Sequence, residues 1–396
     1  MKILVFTSLF PNHLNPDNAI FIKNRMFNVA ALDDCQVRVV APVPYCPPWK
    51  FLNQWYQYSQ ISKYEEMDGI HVYHPRYFLL PKVSMSLHGL LMFLGSVRTI
   101  NQIRKEFDFD LLDVHYVYPD GFAGMLLGRM FKKTFVISAR GSDIHTFPAF
   151  RTIKLMIQTT LKNADQIISV CSSLRDAMMR LGGKRIAVIP NGIDISKFDL
   201  IQRKKARKLL SVNTDKKMIL SVGSLNLLKG HHIVIDAMQH IVKHQPDVHL
   251  YIAGKGEKRQ YLEKLISEFD LEDHITLLGH IPNHELTKWY NAADISCLAS
   301  SREGWANVIM ESMACGTPVV ATNVWGAPEI ITSPDVGMLM DRNADSISDA
   351  LLMALNRDWD RNKIRSHVAG RTWQSVAKEV RDVFENTVNR SKSLCL

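Results

Sequence analysis

Short runs of apolar residues alternate along the chain with longer stretches whose apolar positions recur every three or four residues. Residues 2–6, 36–41, 111–115, 134–138, 166–170 and 186–189 predict short buried strands, and 19–31 predicts a helix. The pattern restarts after residue 195. Strands are predicted at 218–223, 249–253, 275–278, 294–298 and 319–321, with a helix opening at His231. Strands alternating with helices argue for parallel sheets covered on both faces. Two such sets predict an α/β chain of two Rossmann-like domains with a cleft between them. The turn-rich stretch 190–194 is the expected linker, giving domains at 1–190 and 191–371. Residues 372–389 predict a last helix whose Trp373, Val376, Val380 and Phe384 share one face. The longest apolar region, 83–97, contains His88 and is too short to span a bilayer. It reads as a buried helix or one touching a membrane surface.

Composition adds limits. The chain has 396 residues, 46% hydrophobic and 22% charged, as expected of a folded soluble protein of two or three domains. Six cysteines without C-x-x-C spacing fit reduced, cytoplasmic surroundings, and no secretory signal is evident because Pro11-Asn12 interrupts the apolar start. Of the net charge of +9, residues 1–195 carry +7, from 22 Lys+Arg against 15 Asp+Glu. A basic first half suits an anionic acceptor or an anionic membrane face. No nucleic-acid motif accompanies it, so nucleic acid is not an expected partner.

Chemistry concentrates in ASSREGWANVIMESMACGTPVVAT, residues 299–322. A short apolar strand ends there, Asn307 is a plausible N-cap, and Gly316 with Pro318 ends the helix. Glu303 is expected in the loop and Glu311 about one turn inside the helix, roughly 6 Å along the axis from Asn307. Carboxylates hold sugar hydroxyls, and the positive end of a helix suits phosphate. A nucleotide sugar carries both groups. The bland alternative is a surface glutamate plus one that favours the helix dipole.

The segment resembles the donor site of the family 4 retaining glycosyltransferases, which have the GT-B fold. The resemblance covers most of the chain and is specific in its C-terminal half. It implies that Glu303 meets the donor sugar and Glu311 the ribose hydroxyls. The amides of Gly304, Trp305, Ala306, Asn307 and Val308 would face sugar and diphosphate. Residues 221–230 resemble the diphosphate loop: Lys229 matches its lysine, and Ser224 stands where an arginine is common. Gly254 would lie near the nucleotide, and Ile281 in the stretch that contacts the base. In 138–145, Arg140 replaces a histidine common at the reaction centre, and His115, Asp143 and His145 are acceptor-side candidates. Arg140 cannot act as a base at neutral pH but can bind phosphate or an acidic acceptor. Asn18-Ala19 stands where many relatives carry glycines. With residues 41–49, the opening resembles a subgroup that builds bacterial surface polysaccharides. The aromatics of 45–58 suit sugar rings, lipid or the core.

The resemblance implies a hexosyltransferase that needs neither metal nor cofactor. Its donor would be a nucleoside diphosphate sugar, and its acceptor a glycan or lipid-linked hydroxyl. The last helix, 372–396, would return to the N-terminal domain. The expected location is the cytoplasm, with peripheral contact at the inner face of the membrane. The D-x-D at Asp108-Phe109-Asp110 precedes a strand and is not taken as a metal site. Competing expectations are a nucleotide-sugar epimerase of the same architecture and a non-catalytic membrane or nucleic-acid binder.

Overall fold

The computed structural model describes residues 1–79 and 84–393. Val83, at the head of the apolar region, and Cys395 lie outside the described residues. The chain divides into two compact units, Met1–Gly192 with Trp373–Leu396, and Ile193–Thr372.

In the first unit the strands are β1 (Lys2–Phe6), β2 (Gln36–Val40), β3 (Val43–Pro44), β4 (Tyr64–Met67), β5 (Ile70–Tyr73), β6 (Arg76–Tyr77), β7 (Leu111–His115), β8 (Thr134–Ser138), β9 (Gln166–Ser169) and β10 (Ile186–Val188). Eight form one sheet in the order β10-β9-β8-β7-β1-β2-β5-β4. Every pairing is parallel except β4 with β5. Val5 lies opposite Val39 on one side and Asp113 on the other. Buried side chains on the central strands, such as Leu4, Val5, Val39 and Val114, explain the continuous apolar runs. The chain leaves β1 toward β2 and later returns to its other side as β7. The sheet order therefore reverses between β1 and β7, where parallel sheets place their sites.

The terminal helix Trp373–Ser393 buries Trp373, Val376, Val380, Phe384 and Val388 in the core of this unit. The same cluster includes Ile22, Met26 and Val29 from the helix Ile20–Ala30. Each such side chain contributes about 1.5–3 kcal/mol.

The second unit contains β11 (Lys217–Val222), β12 (Val248–Ala253), β13 (Ile275–Gly279), β14 (Ile295–Leu298), β15 (Val319–Thr322) and β16 (Gly337–Met340). They form an all-parallel sheet in the order β13-β12-β11-β14-β15-β16. Here the order reverses between β11 and β14. The loops leaving those two strands are 223–230 and 299–306, the stretches singled out by their chemistry.

Candidate active site

In the second unit the two loops are fastened to each other by backbone geometry. Gly230 opens the helix His231–His244 with φ 73°, a conformation that penalises side chains. A Cβ there would stand 2.1 Å from the Ala299 carbonyl oxygen. Ser301 N–H donates to the Leu228 carbonyl at 2.8 Å. Arg342, not anticipated from the sequence, bridges the same loops by donating to the carbonyls of Ala299 and Leu227 at 3.0 and 2.8 Å.

This fastening brings Lys229 and Glu303 together. Lys229 Nζ stands 2.5 Å from Glu303 Oε1, and the Ser300 hydroxyl donates to the same oxygen at 2.6 Å. Both charged side chains are largely shielded from water. Asn226 accepts the Lys229 backbone N–H at 3.1 Å, so its side-chain oxygen caps the turn. Ser224 is exposed beside it. On the far side of the glutamate loop, Gly326 N–H donates to the Glu303 carbonyl at 3.2 Å.

The helix after this loop is Asn307–Ala314, and Ala306, not Asn307, occupies its N-cap without a side-chain cap. The sequence expectation placed the cap one residue late because asparagine favours that position. Asn307 instead takes the first helical place. Glu311 lies one turn further, where the Tyr290 hydroxyl donates to its Oε2 at 2.9 Å. Burial pushes the Glu311 carboxyl up, opposed by that hydroxyl and by Lys197. Burial likewise drives the Tyr290 hydroxyl well above its ordinary range. Trp305 and Val308 pack at the edge of the core. The Trp305 indole N–H and the Ser301 hydroxyl are buried without a partner among the described residues. An unpaired buried donor costs about 1–3 kcal/mol, which an acceptor oxygen would relieve.

The glycines of 253–257 have a structural explanation. A Cβ on Gly254 would lie 1.9 Å from the Gly223 carbonyl oxygen, while Gly254 N–H donates to Gly279 at 2.7 Å. The close approach is therefore to the neighbouring loop. Ile281 is partly buried against the core of its unit. His231 was not singled out by sequence. It is fully buried, its Nδ1 lies 3.1 Å from Ser221 Oγ, and burial holds its imidazole down to about 4.

In the first unit, His115 and Arg140 meet. Arg140 donates to His115 Nδ1 at 2.5 Å, so the ring proton belongs on Nε2, which faces Asp113 Oδ2 at 2.9 Å. Burial lowers the imidazole to about 4, leaving it neutral. Both ring nitrogens are engaged and the side chain is fully buried, so His115 holds Arg140. Asp143 is also buried and accepts the backbone N–H groups of Val117, Arg140 and Gly141. It braces the loop. His145 follows in a short helical turn, Ser142–His145, and is partly exposed.

Burial and the nearby Arg25 guanidinium push Arg140 down to about 9, still a cation at neutral pH. Its Nε is buried without a partner among the described residues, and its guanidinium lies 5.0 Å from the Phe21 ring centroid. At the reversal between β1 and β7, Asp120 accepts Ser8 N–H at 2.8 Å and the Ser8 and Thr7 hydroxyls at 2.9 and 3.2 Å. Burial raises its carboxyl to about 7.

Asp110 accepts Lys2 N–H at 2.8 Å, and Asp108 pairs with Lys133 at 2.9 Å. Among the described residues no three His, Cys, Asp or Glu side chains gather as a metal site. Cys35, Cys46, Cys171, Cys297 and Cys315 are buried.

Comparison with known proteins places this geometry. Residues 202–387 match the family described as glycosyl transferases group 1, and residues 55–197 match glycosyltransferase family 4. The putative teichuronic acid biosynthesis glycosyltransferase TuaC of Bacillus subtilis is 25% identical, the match covering 89% of this chain and 88% of that one. A D-inositol 3-phosphate glycosyltransferase of Paenarthrobacter aurescens is 30% identical, over 59% of this chain and 58% of its own. Among solved structures, sucrose-phosphate synthase from Thermosynechococcus elongatus superposes with a TM-score of 0.81 at 19% identity, covering 97% and 98% of the two chains. Anabaena Alr3699/HepE, solved in complex with UDP, superposes with a TM-score of 0.73 at 18% identity, covering 98% of this chain and all of its own. The shared fold is GT-B.

Proposed function

The chain belongs to glycosyltransferase family 4, and from that premise we propose that it moves a sugar from a nucleoside diphosphate donor to a hydroxyl of a glycan or lipid-linked acceptor. The observation that carries this reading is the Lys229–Glu303–Ser300 constellation at the sheet reversal of the second unit. Glu303 orients the donor sugar through its hydroxyls. Lys229 and the amides opening the helix Asn307–Ala314 stabilise charge on the departing diphosphate. The buried Trp305 N–H suits an oxygen of the same donor. Glu311, held by Tyr290, faces the ribose hydroxyls. The structural neighbour solved with UDP supports a uridine donor as the first to try.

The reaction proposed is front-side substitution. The bond from the anomeric carbon to the diphosphate oxygen breaks while a bond to the acceptor oxygen forms on the same face. The departing phosphate oxygen takes the acceptor's proton. Anomeric configuration is retained, and no metal or cofactor takes part. Arg140, a buried cation held by His115, binds an anionic group on the acceptor. The relation to TuaC supports an acceptor from surface-polysaccharide synthesis. Glu303→Ala should keep its fold by circular dichroism and lose transfer. Wild-type rates in that variant would sink the assignment. The anomeric configuration of the product, read by NMR, tests retention.

A further inference from the structure

The first unit carries an apolar surface bordered by cations that sugar transfer does not explain. The helix His88–Glu106 buries Met92, Ser96, Ile100 and Ile103 on one side. Its opposite side, with Leu87 just before it, leaves Leu87, Leu90 and Leu94 exposed by 53%, 39% and 59%. The helix Arg151–Asn163 repeats the arrangement. Ile153, Ile157 and Leu161 point inward, while Phe150 and Leu155 remain 46% and 57% exposed. The Ser86 and Thr152 hydroxyls are hydrogen-bonded at 3.0 Å, which joins the starts of the two helices. Leucines spaced 3 and 4 residues apart thus form a stripe on one helix. The exposed phenylalanine and leucine of the other adjoin it.

The charge on these segments has one sign. Residues 69–105 and 144–164 contain no aspartate or glutamate. Arg98 follows Leu94 by one turn, and Arg151 and Lys154 flank the second helix's apolar residues, all three exposed. A second copy of this face would meet those cations with cations. Nucleic acid would gain nothing from five large apolar side chains. Apolar residues ringed by cations suit the boundary between anionic headgroups and acyl chains. No helix among the described residues is long and apolar enough to cross a membrane.

We propose that this face of the first unit docks on a bilayer containing anionic phospholipid, with Leu90, Leu94, Phe150 and Leu155 entering the interface and Arg98, Arg151 and Lys154 lying against phosphates. Docking of this kind is separable from transfer to a soluble acceptor.

The test is sedimentation of the full chain with vesicles of phosphatidylcholine alone or with about one third phosphatidylglycerol. Binding to the anionic vesicles should be at least ~10-fold tighter and should weaken as salt is raised from about 0.1 to 0.5 M. Leu90→Glu with Leu94→Glu, and separately Arg151→Glu with Lys154→Glu, should each lower partitioning ~10-fold or more without changing the melting temperature or transfer to a soluble acceptor. If either variant melts early, Arg151→Gln with Lys154→Gln should still lower it measurably. Wild-type protein that stays in the supernatant overturns the proposal, as do variants that bind like wild type. A dimer abolished by Leu90→Glu with Leu94→Glu, without vesicle binding, would assign the face to a second copy and also overturn it.

Discussion

Lys229 and Glu303 neutralise each other at 2.5 Å, with Ser300 completing the glutamate's contacts. A donor diphosphate entering this loop would compete for the ammonium, while the sugar's hydroxyls would engage the carboxylate. Lys229→Ala should therefore lower kcat by about 10²–10³-fold, the range for removing one group that stabilises transition-state charge. Its melting temperature should change little, and steady-state kinetics together with a melt distinguish the two effects. Arg140→Met should raise the acceptor's KM and leave UDP affinity unchanged, because its cation lies in the first unit among His115, Asp113 and Arg25. Equal loss of UDP affinity would move Arg140 to the donor side. His231 supplies a pH dependence. Its buried imidazole titrates near 4, against about 6.5 in an unfolded chain. Between those values the unfolded chain takes up a proton that the folded one refuses. The corresponding stability is fully present above about pH 6.5 and is lost as pH falls toward 4. Melting temperature should drop between about pH 7 and pH 5, and His231→Gln should flatten that slope. Glu303, Glu311 and Lys229 were legible in sequence because loop, helix and charge coincide there. His231 and Tyr290 were not, since a histidine and a tyrosine among apolar residues carry no sign of their partners.

At the scale of elements, the central strands were legible because their continuous apolar runs reflect burial on both faces. The hairpin of β4 and β5 was not expected. Tyr64–Met67 is a polar edge strand whose register comes from its partner. The helix Ile20–Ala30 begins where expected, but its N-cap Ala19 adopts φ 47°, a left-handed conformation in which a Cβ is strained. Ala19→Gly should raise stability by about 1 kcal/mol, seen as a higher denaturation midpoint. Gly230→Ala should do the reverse, because its Cβ would press on the Ala299 carbonyl and part the Lys229 and Glu303 loops. Loss of both stability and transfer is the expected result. The aromatics of 45–58 divide in the folded unit. Tyr45, Trp49, Phe51 and Tyr58 are exposed, which removes the core-packing alternative for them. In the apolar region read as either buried or membrane-touching, one side of His88–Glu106 is packed and the other leaves Leu90 and Leu94 exposed.

For the whole molecule, two units on one chain mean that a ligand held by one of them need not protect the other. UDP, tested beside GDP and ADP in a thermal-shift screen, should raise the transition of the second unit. At a hundredfold excess over Kd the gain is about 2.7 kcal/mol. An unchanged transition with all three nucleotides would count against the donor reading. Chelation by EDTA should leave the transfer rate unchanged. The sequence by itself determined the alternation of strands and helices, the position of the glutamate loop and the excess charge of the first half, because each is written in local periodicity or composition. Only the tertiary structure decided that the loops after β11 and β14 meet at a sheet reversal. It likewise decided that His115 and Asp143 brace the first unit instead of facing outward, and that exposed leucines from two helices share one cationic surface. Those outcomes depend on which strands and helices become neighbours, and that is fixed by packing between residues far apart in the chain.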